Sequence, residues 1–238
     1  LGSWNGSTWT RWTLSHNTTW WVNAVHCDSA DNLYVGGVFT SAGGVPVTNI
    51  AMWNGTAWSS MGGGPTVGGG YREIRGLTSV GSDIYAVGDF TTIGGVAANR
   101  IARWNGSSWS PLSGGLSDTP YALRAIGSDI YALGQFNTAG GVPNTGRIAK
   151  WNGTAWSPLG TGGVNYATLM KAAPWRGGIV VLGDFTSIGG ITTSSIAFWN
   201  GTAWSGMGAD EASGIGGVKY LGGTLYAVAT SVGGVAVN

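Results

Sequence analysis

His26-Cys27-Asp28 is the one place in this chain where a nucleophile, a base and a carboxylate stand side by side. A Cys–His pair performs acyl transfer when the imidazole reaches the thiol. Adjacent strand residues point to opposite faces, so His26 and Cys27 cannot easily act on one atom. The expectation is a buried cysteine and a histidine with a satisfied hydrogen bond. His16 is the only other histidine, and Cys27 the only cysteine, which removes an internal disulfide framework and a cysteine-based zinc site. Asp89 and Asp184 each stand in Gly-Asp-Phe, but Val38 and Gln135 hold the same place in sister phrases. A calcium site needs several converging oxygens, so loop hydrogen bonding is expected of both, and turn positions of Asp83 and Asp129. There is no Gly-x-Ser-x-Gly elbow and no phosphate loop. The chain reads as a non-enzyme with no cofactor and no metal.

Tryptophan offers the other chemistry. Trp-Asn-Gly-x-x-Trp occurs five times, beginning at Trp4, Trp53, Trp104, Trp151 and Trp199. Such rings can stack on sugars or fill a core; because each buries roughly 150–250 Å², packing between neighbouring sheets is the favoured role. Asn5, Asn54, Asn105, Asn152 and Asn200 each open Asn-Gly-Ser/Thr, which is both an N-glycosylation pattern and a hairpin turn. The turn reading is favoured, as a type I′ turn.

The elements that must carry these residues follow from the repeat. The steps between first tryptophans are 49, 51, 47 and 48 residues. Between them runs a second phrase, seen as DNLYVGGVFTSAGGV at 31–45 and SDIYAVGDFTTIGGV at 82–96. It returns at 128–142 and 177–191, and in shortened form at 223–235. A period near 50 with Gly-Gly and Trp marks reads as propeller blades. Each unit divides into four short strands, A to D. In the third unit these are Ala122–Ile126, Ile130–Phe136, Ile148–Asn152 and Ala155 to about Leu159. No sustained 3.6-residue apolar period is present, so almost no helix is expected.

The fold expected is all-β: a single five-bladed β-propeller over residues 1–238 with four-stranded antiparallel blades. The blades fall at about 15–66, 67–115, 116–162, 163–209 and 210–238, the last completed by residues 1–14. On this reading the N-terminal strands close the ring, because residues 1–14 supply the C–D pair that follows A and B in every other unit.

The phrases resemble Kelch-type blades, and more closely the tandem WNG/GGxFTxxGG repeats of secreted bacterial, cortical-marker-like and viral surface proteins. Trp-Asn-Gly stands here where Kelch repeats usually carry Tyr-Asp-Pro. The resemblance implies a propeller and an exterior location. It implies no single function, since propellers host many. Five-bladed tachylectin-type lectins are similar in architecture only.

Composition narrows the function. Charged residues are 9% and the net charge is +1, with no Lys/Arg run, so nucleic acid is not an expected partner. No stretch of about 18 apolar residues suggests a membrane span. The B–C phrase is nearly uniform, whereas the D–A loops vary. Those loops, on one face of a propeller, gather Asn17, Trp20, Trp21, Tyr71, Arg72, Asp118, Tyr121 and Tyr166 as candidate ligand-binding residues. The function expected is a non-catalytic recognition or adhesion module, with a glycan or a surface protein as partner, on a cell or virion exterior. A structural role in a virion, shell or filament, docked to other structural chains, is the first alternative, and an enzyme the second.

Overall fold

The structure, a computed structural model, describes residues 1–15, 21–66, 72–161, 163–165, 170–193, 195–207, 217–228, 231–232 and 235–236. The described residues contain no helix. The chain divides into two compact units, Leu1–Gly115 and Leu116–Asn238. Among the described residues each holds two four-stranded antiparallel sheets; the first adds two three-stranded sheets and one two-stranded hairpin, the second three two-stranded hairpins.

In the first unit the sheets are Trp21–Cys27, Leu33–Val38, Ile50–Trp53, Trp58–Ser60, and Glu73–Val80, Asp83–Asp89, Ile101–Trp104, Trp109–Pro111. In the second they are Pro120–Ile126, Asp129–Gly134, Ile148–Trp151, Trp156–Ser157, and Met170–Trp175, Gly178–Gly183, Ile196–Trp199, Trp204–Gly206. Within every sheet the strands pair in chain order, A–B–C–D. The B–C register repeats without a slip: Leu33, Ile84, Ile130 and Ile179 lie opposite Trp53, Trp104, Trp151 and Trp199. Such meander sheets, recurring at the period of the sequence, make the fold all-β and propeller-like.

Glycine decides how the sheets close. Gly81 and Ser82 form the two-residue A–B turn between Val80 and Asp83, with Gly81 at φ 58°. Beside this turn Asp83 pairs with Arg103 at 3.4 Å, and in the third sheet Asp129 pairs with Lys150 at 3.1 Å. The fourth sheet has Gly178 and Phe198 at these places, and Phe198 packs edge-on against Trp175 at 4.8 Å. The ion pair has been exchanged for an aromatic one.

The C–D connection is not the type I′ turn expected from Asn-Gly. Trp53 pairs with Trp58, so the loop is four residues long, and of these only Gly55 has positive φ. The asparagine acts through its side chain instead. Asn54 Oδ1 accepts from the backbone N–H of Thr56 (3.0 Å) and Ala57 (2.9 Å), an Asx-type cap. The same bonds recur at Asn5, Asn105, Asn152 and Asn200.

The Gly-Gly phrase also does more than join B to C. It folds into a second, small hairpin: Ser41–Ala42 pairs with Val45–Pro46 and with Leu14–Ser15, and Thr92–Ile93 with Val96–Ala97 and Pro65–Thr66. Gly43 and Gly94 lie against the second tryptophan of their own repeat; a Cβ at Gly94 would stand 2.6 Å from Trp109 Cδ1. Trp109 in turn donates to the carbonyl of Met61 at 2.6 Å, and Trp204 to that of Leu159 at 2.5 Å. Trp109 and Trp204 are therefore buried staples between the two consecutive sheets of their own units. Trp4 and Trp9 differ: in the hairpin Gly2–Trp4/Trp9–Arg11 they are 52% and 67% exposed.

Each unit has its own core. Tyr34, Ile50, Met61, Ile74, Leu77, Phe90 and Ile93 fill the space between the two sheets of the first. Leu133, Ile148, Leu159, Ile179, Phe185 and Ile188 do so in the second.

Candidate functional site

Three A strands share an irregularity. The A–B register shifts between Val22 and Ala24, between Ile74 and Gly76, and between Pro120 and Ala122. Asn23, Arg75 and Tyr121 are the extra residues. A bulge re-aims a side chain out of the alternating pattern, and here it does so at the end where A begins and B finishes. Leu14–Ser15 and Pro65–Thr66, and the small hairpins they pair with, lie at that same end.

In the first unit the two bulges build a polar cluster around Glu73, which is buried although its side chain is ionisable. Glu73 Oε2 accepts from Asn23 Nδ2 at 2.8 Å and from Trp21 Nε1 at 3.2 Å. Its Oε1 pairs with the Arg75 guanidinium. Arg75 also holds Asp89 Oδ2, through Nη2 at 2.8 Å and Nε at 3.1 Å. One guanidinium thus bridges two carboxylates. Beside it, buried Asn49 accepts from Phe39 N at 2.9 Å and donates to the Arg72 carbonyl at 2.6 Å. Asn49 itself sits at φ 63°, as do Arg100, Arg147 and Ser195 near that value at the matching place before strand C.

The expected site residues divide as follows. Asn17, Trp20, Tyr71 and Tyr166 lie outside the described residues. Trp21 opens its strand, 37% exposed, with its indole N–H fixed on Glu73. Arg72 is exposed and meets the cluster through its backbone carbonyl, which accepts from Asn49. In the second unit Asp118 is exposed and caps its own loop, accepting from Thr119 N at 2.7 Å. Tyr121 is half-buried at the bulge.

Asn23, Glu73, Arg75 and Asn49 were not among the expected residues. The sequence signal was Glu-Ile-Arg at 73–75, an acid and a base two apart on a strand with no other charge. Asp89 departs from its expected loop role: it is held by Arg75 across the strands.

At the opposite end of the first A strand His26 Nε2 meets Ser79 Oγ at 2.8 Å, giving the satisfied histidine expected. Burial lowers its pKa from the ordinary value, and the nearby Asp28 carboxylate offsets part of that. Cys27 is exposed, not buried as expected. It ends the strand at the A–B connection and is part of neither core cluster described for the first unit. Asp28 caps the connection: burial works against its charge, but bonds from Asn32, Ala30 and Tyr34 outweigh this and hold its pKa below the ordinary value. Tyr34 is pushed up to about 12 by burial and by Asp28.

The Glu73 cluster can orient a ligand. Its carboxylate is already bound by three donors, so it is an anchor for Trp21, Asn23 and Arg75 and not a free base. Among the described residues no three His, Cys, Asp or Glu side chains converge as metal ligands would, and no helix is long and apolar enough to cross a membrane.

No family model matches the chain, and no curated protein matches it. Among solved structures the chain is similar to "YCF48 bound to D1 peptide", with 14% identity and a TM-score of 0.48, over 92% of this chain and 67% of that one. The class that the strands and their register define is a propeller-like repeat protein.

Proposed function

We propose that the chain is a non-catalytic recognition module, and that it takes a hydroxyl-rich ligand, a glycan, at the Glu73 cluster. The observation that supports this is the placement of Trp21. Its ring is partly exposed while its N–H is tied to a buried carboxylate that also holds Asn23 and Arg75. A fixed aromatic beside amide and guanidinium groups suits a sugar, which offers a C–H face and several hydroxyls. The role is adhesion or docking on a cell or virion exterior. A glycan-array screen of the chain beside Trp21→Ala and Arg72→Ala tests it. Selective retention of one glycan class, weakened by both substitutions, is the expected result; equal or absent binding overturns it.

The Kelch-like, five-bladed, ring-closed form belongs to the same proposal. In every four-stranded sheet a B-strand Leu or Ile lies opposite the first tryptophan. A closed ring would require that register of Thr224–Val228 too, with Leu225 opposite Trp4. Tyr226 is 58% exposed, whereas Tyr34, Tyr85 and Tyr131 at its place are buried. A second reading, assembly into a shell or filament, rests on the same edges: pairing with a second copy would cover Trp4, Trp9 and Tyr226 as well. Native mass at low concentration separates the two, a monomer favouring closure within the chain.

A further inference from the structure

The five Asn-Gly turns carry a chemistry that neither the packing nor the proposed recognition uses. In each, the asparagine is exposed and its Oδ1 is gripped by several donors. At Asn54 these are Thr56 N (3.0 Å), Thr56 Oγ1 (2.9 Å) and Ala57 N (2.9 Å). At Asn105 they are Ser107 N (3.0 Å), Ser107 Oγ (3.0 Å) and Ser108 N (2.9 Å), with a longer bond from Ser108 Oγ. Asn5, Asn152 and Asn200 repeat the pattern. Donors aimed at a carbonyl oxygen stabilise the negative charge it gains when its carbon is attacked. The residue after each asparagine is glycine, whose missing Cβ leaves its backbone nitrogen open to the asparagine side chain.

We propose that these five turns are sites of self-catalysed deamidation, with the Oδ1 donors acting as a small oxyanion hole. The glycine nitrogen attacks asparagine Cγ and gives up its proton. The Cγ–Nδ2 bond breaks, and Nδ2 takes a proton and leaves as ammonia. The succinimide so formed is opened by solvent water at either carbonyl, giving Asp or isoaspartate. No oxidant or reductant is needed. The two products differ in consequence. Asp keeps an acceptor where Oδ1 was, so the turn survives and gains a negative charge. Isoaspartate routes the main chain through Cβ and lengthens the loop, which works against the Trp53–Trp58 pairing.

The test is peptide mapping by mass spectrometry of the folded protein aged in warm, mildly alkaline buffer, with Asn99 and Asn137, neither followed by glycine, as internal references. Conversion at the five turns is expected to outpace the references about tenfold. Thr56→Val removes one Oδ1 donor and keeps the backbone; Ser107→Ala does the same at Asn105. Each is expected to slow conversion at its own asparagine while the other four sites continue unchanged. If the bonds merely restrain the turn, the same substitutions accelerate conversion. Acceleration, no change, or a wild-type rate no higher than at Asn99 and Asn137 overturns the proposal.

Discussion

Trp109 donates its indole N–H to the carbonyl of Met61, 48 residues earlier, at 2.6 Å. The bond ties strand D of one sheet to the residue just beyond strand D of the sheet before it. Trp58 stands at the same place one repeat earlier, and its buried Nε1 has no partner among the described residues. It meets the ring of Trp12 edge-on at 5.8 Å instead.

That contrast separates hydrogen bonding from burial. Trp109→Phe leaves the Met61 carbonyl unsatisfied, a cost of about 1–3 kcal/mol beyond the lost area. Trp58→Phe loses area but no bond. Urea unfolding is expected to show Trp109→Phe as the more destabilised variant by that margin. Equal losses would contradict the stapling role of the indole nitrogen.

The two glycines of the small hairpin make a second pair. Gly94 and Gly95 both have positive φ, so alanine costs roughly 1–2 kcal/mol at either. A Cβ at Gly94 also strikes Trp109 Cδ1 at 2.6 Å, whereas one at Gly95 meets open space. Thermal unfolding is expected to rank Gly94→Ala well below Gly95→Ala.

Acid should reveal the His26–Ser79 contact. The folded pKa of His26 is lowered, so the unfolded chain binds this proton first. The stability it contributes is full above the unfolded value of about 6.5 and is lost as pH falls below it, until the folded form protonates too. Stability measured from pH 8 downward is expected to drop through that window in the wild type and to drop less in His26→Gln.

The Glu73 cluster predicts coupling. Glu73→Gln removes the Arg75–Glu73 pair and keeps Arg75–Asp89, whereas Arg75→Gln removes both pairs. Arg75 is partly exposed, so a loss of about 1–3 kcal/mol is expected for each single change. The double variant should lose less than the sum. Strict additivity in a double-mutant cycle would show that the pair does not act as a unit.

Much of the scaffold was legible in the sequence because the residues that mark it are local. Asn-Gly, Gly-Ser-Asp and the paired tryptophans set the turns and the strand ends by themselves. The small hairpins were not legible. Thr-x-x-Gly-Gly-Val reads as a loop, yet it folds back as a small hairpin, which Leu14–Ser15 and Pro65–Thr66 extend to three strands in the first unit. The site was hidden too. Nothing in Asn23, Arg75 or Tyr121 alone announces a bulge, since a bulge exists only relative to the strand it pairs with. Reading the non-repeating loops did lead to Trp21 and Arg72, which flank the cluster, but missed Glu73, which organises it. The Asn-Gly turns misled in type: a type I′ turn needs positive φ at two residues, whereas here the asparagine side chain takes over one residue's work.

The central claim is that ligand recognition is seated on Trp21 and its buried carboxylate. The most direct measurement is the indole N–H resonance of Trp21, assigned through Trp21→Phe, during titration with the glycan class retained on an array. A saturable shift of that resonance is expected, with the indole signals of Trp109 and Trp204 unmoved. Binding that leaves Trp21 unchanged, or that persists undiminished in Trp21→Ala, would contradict the account.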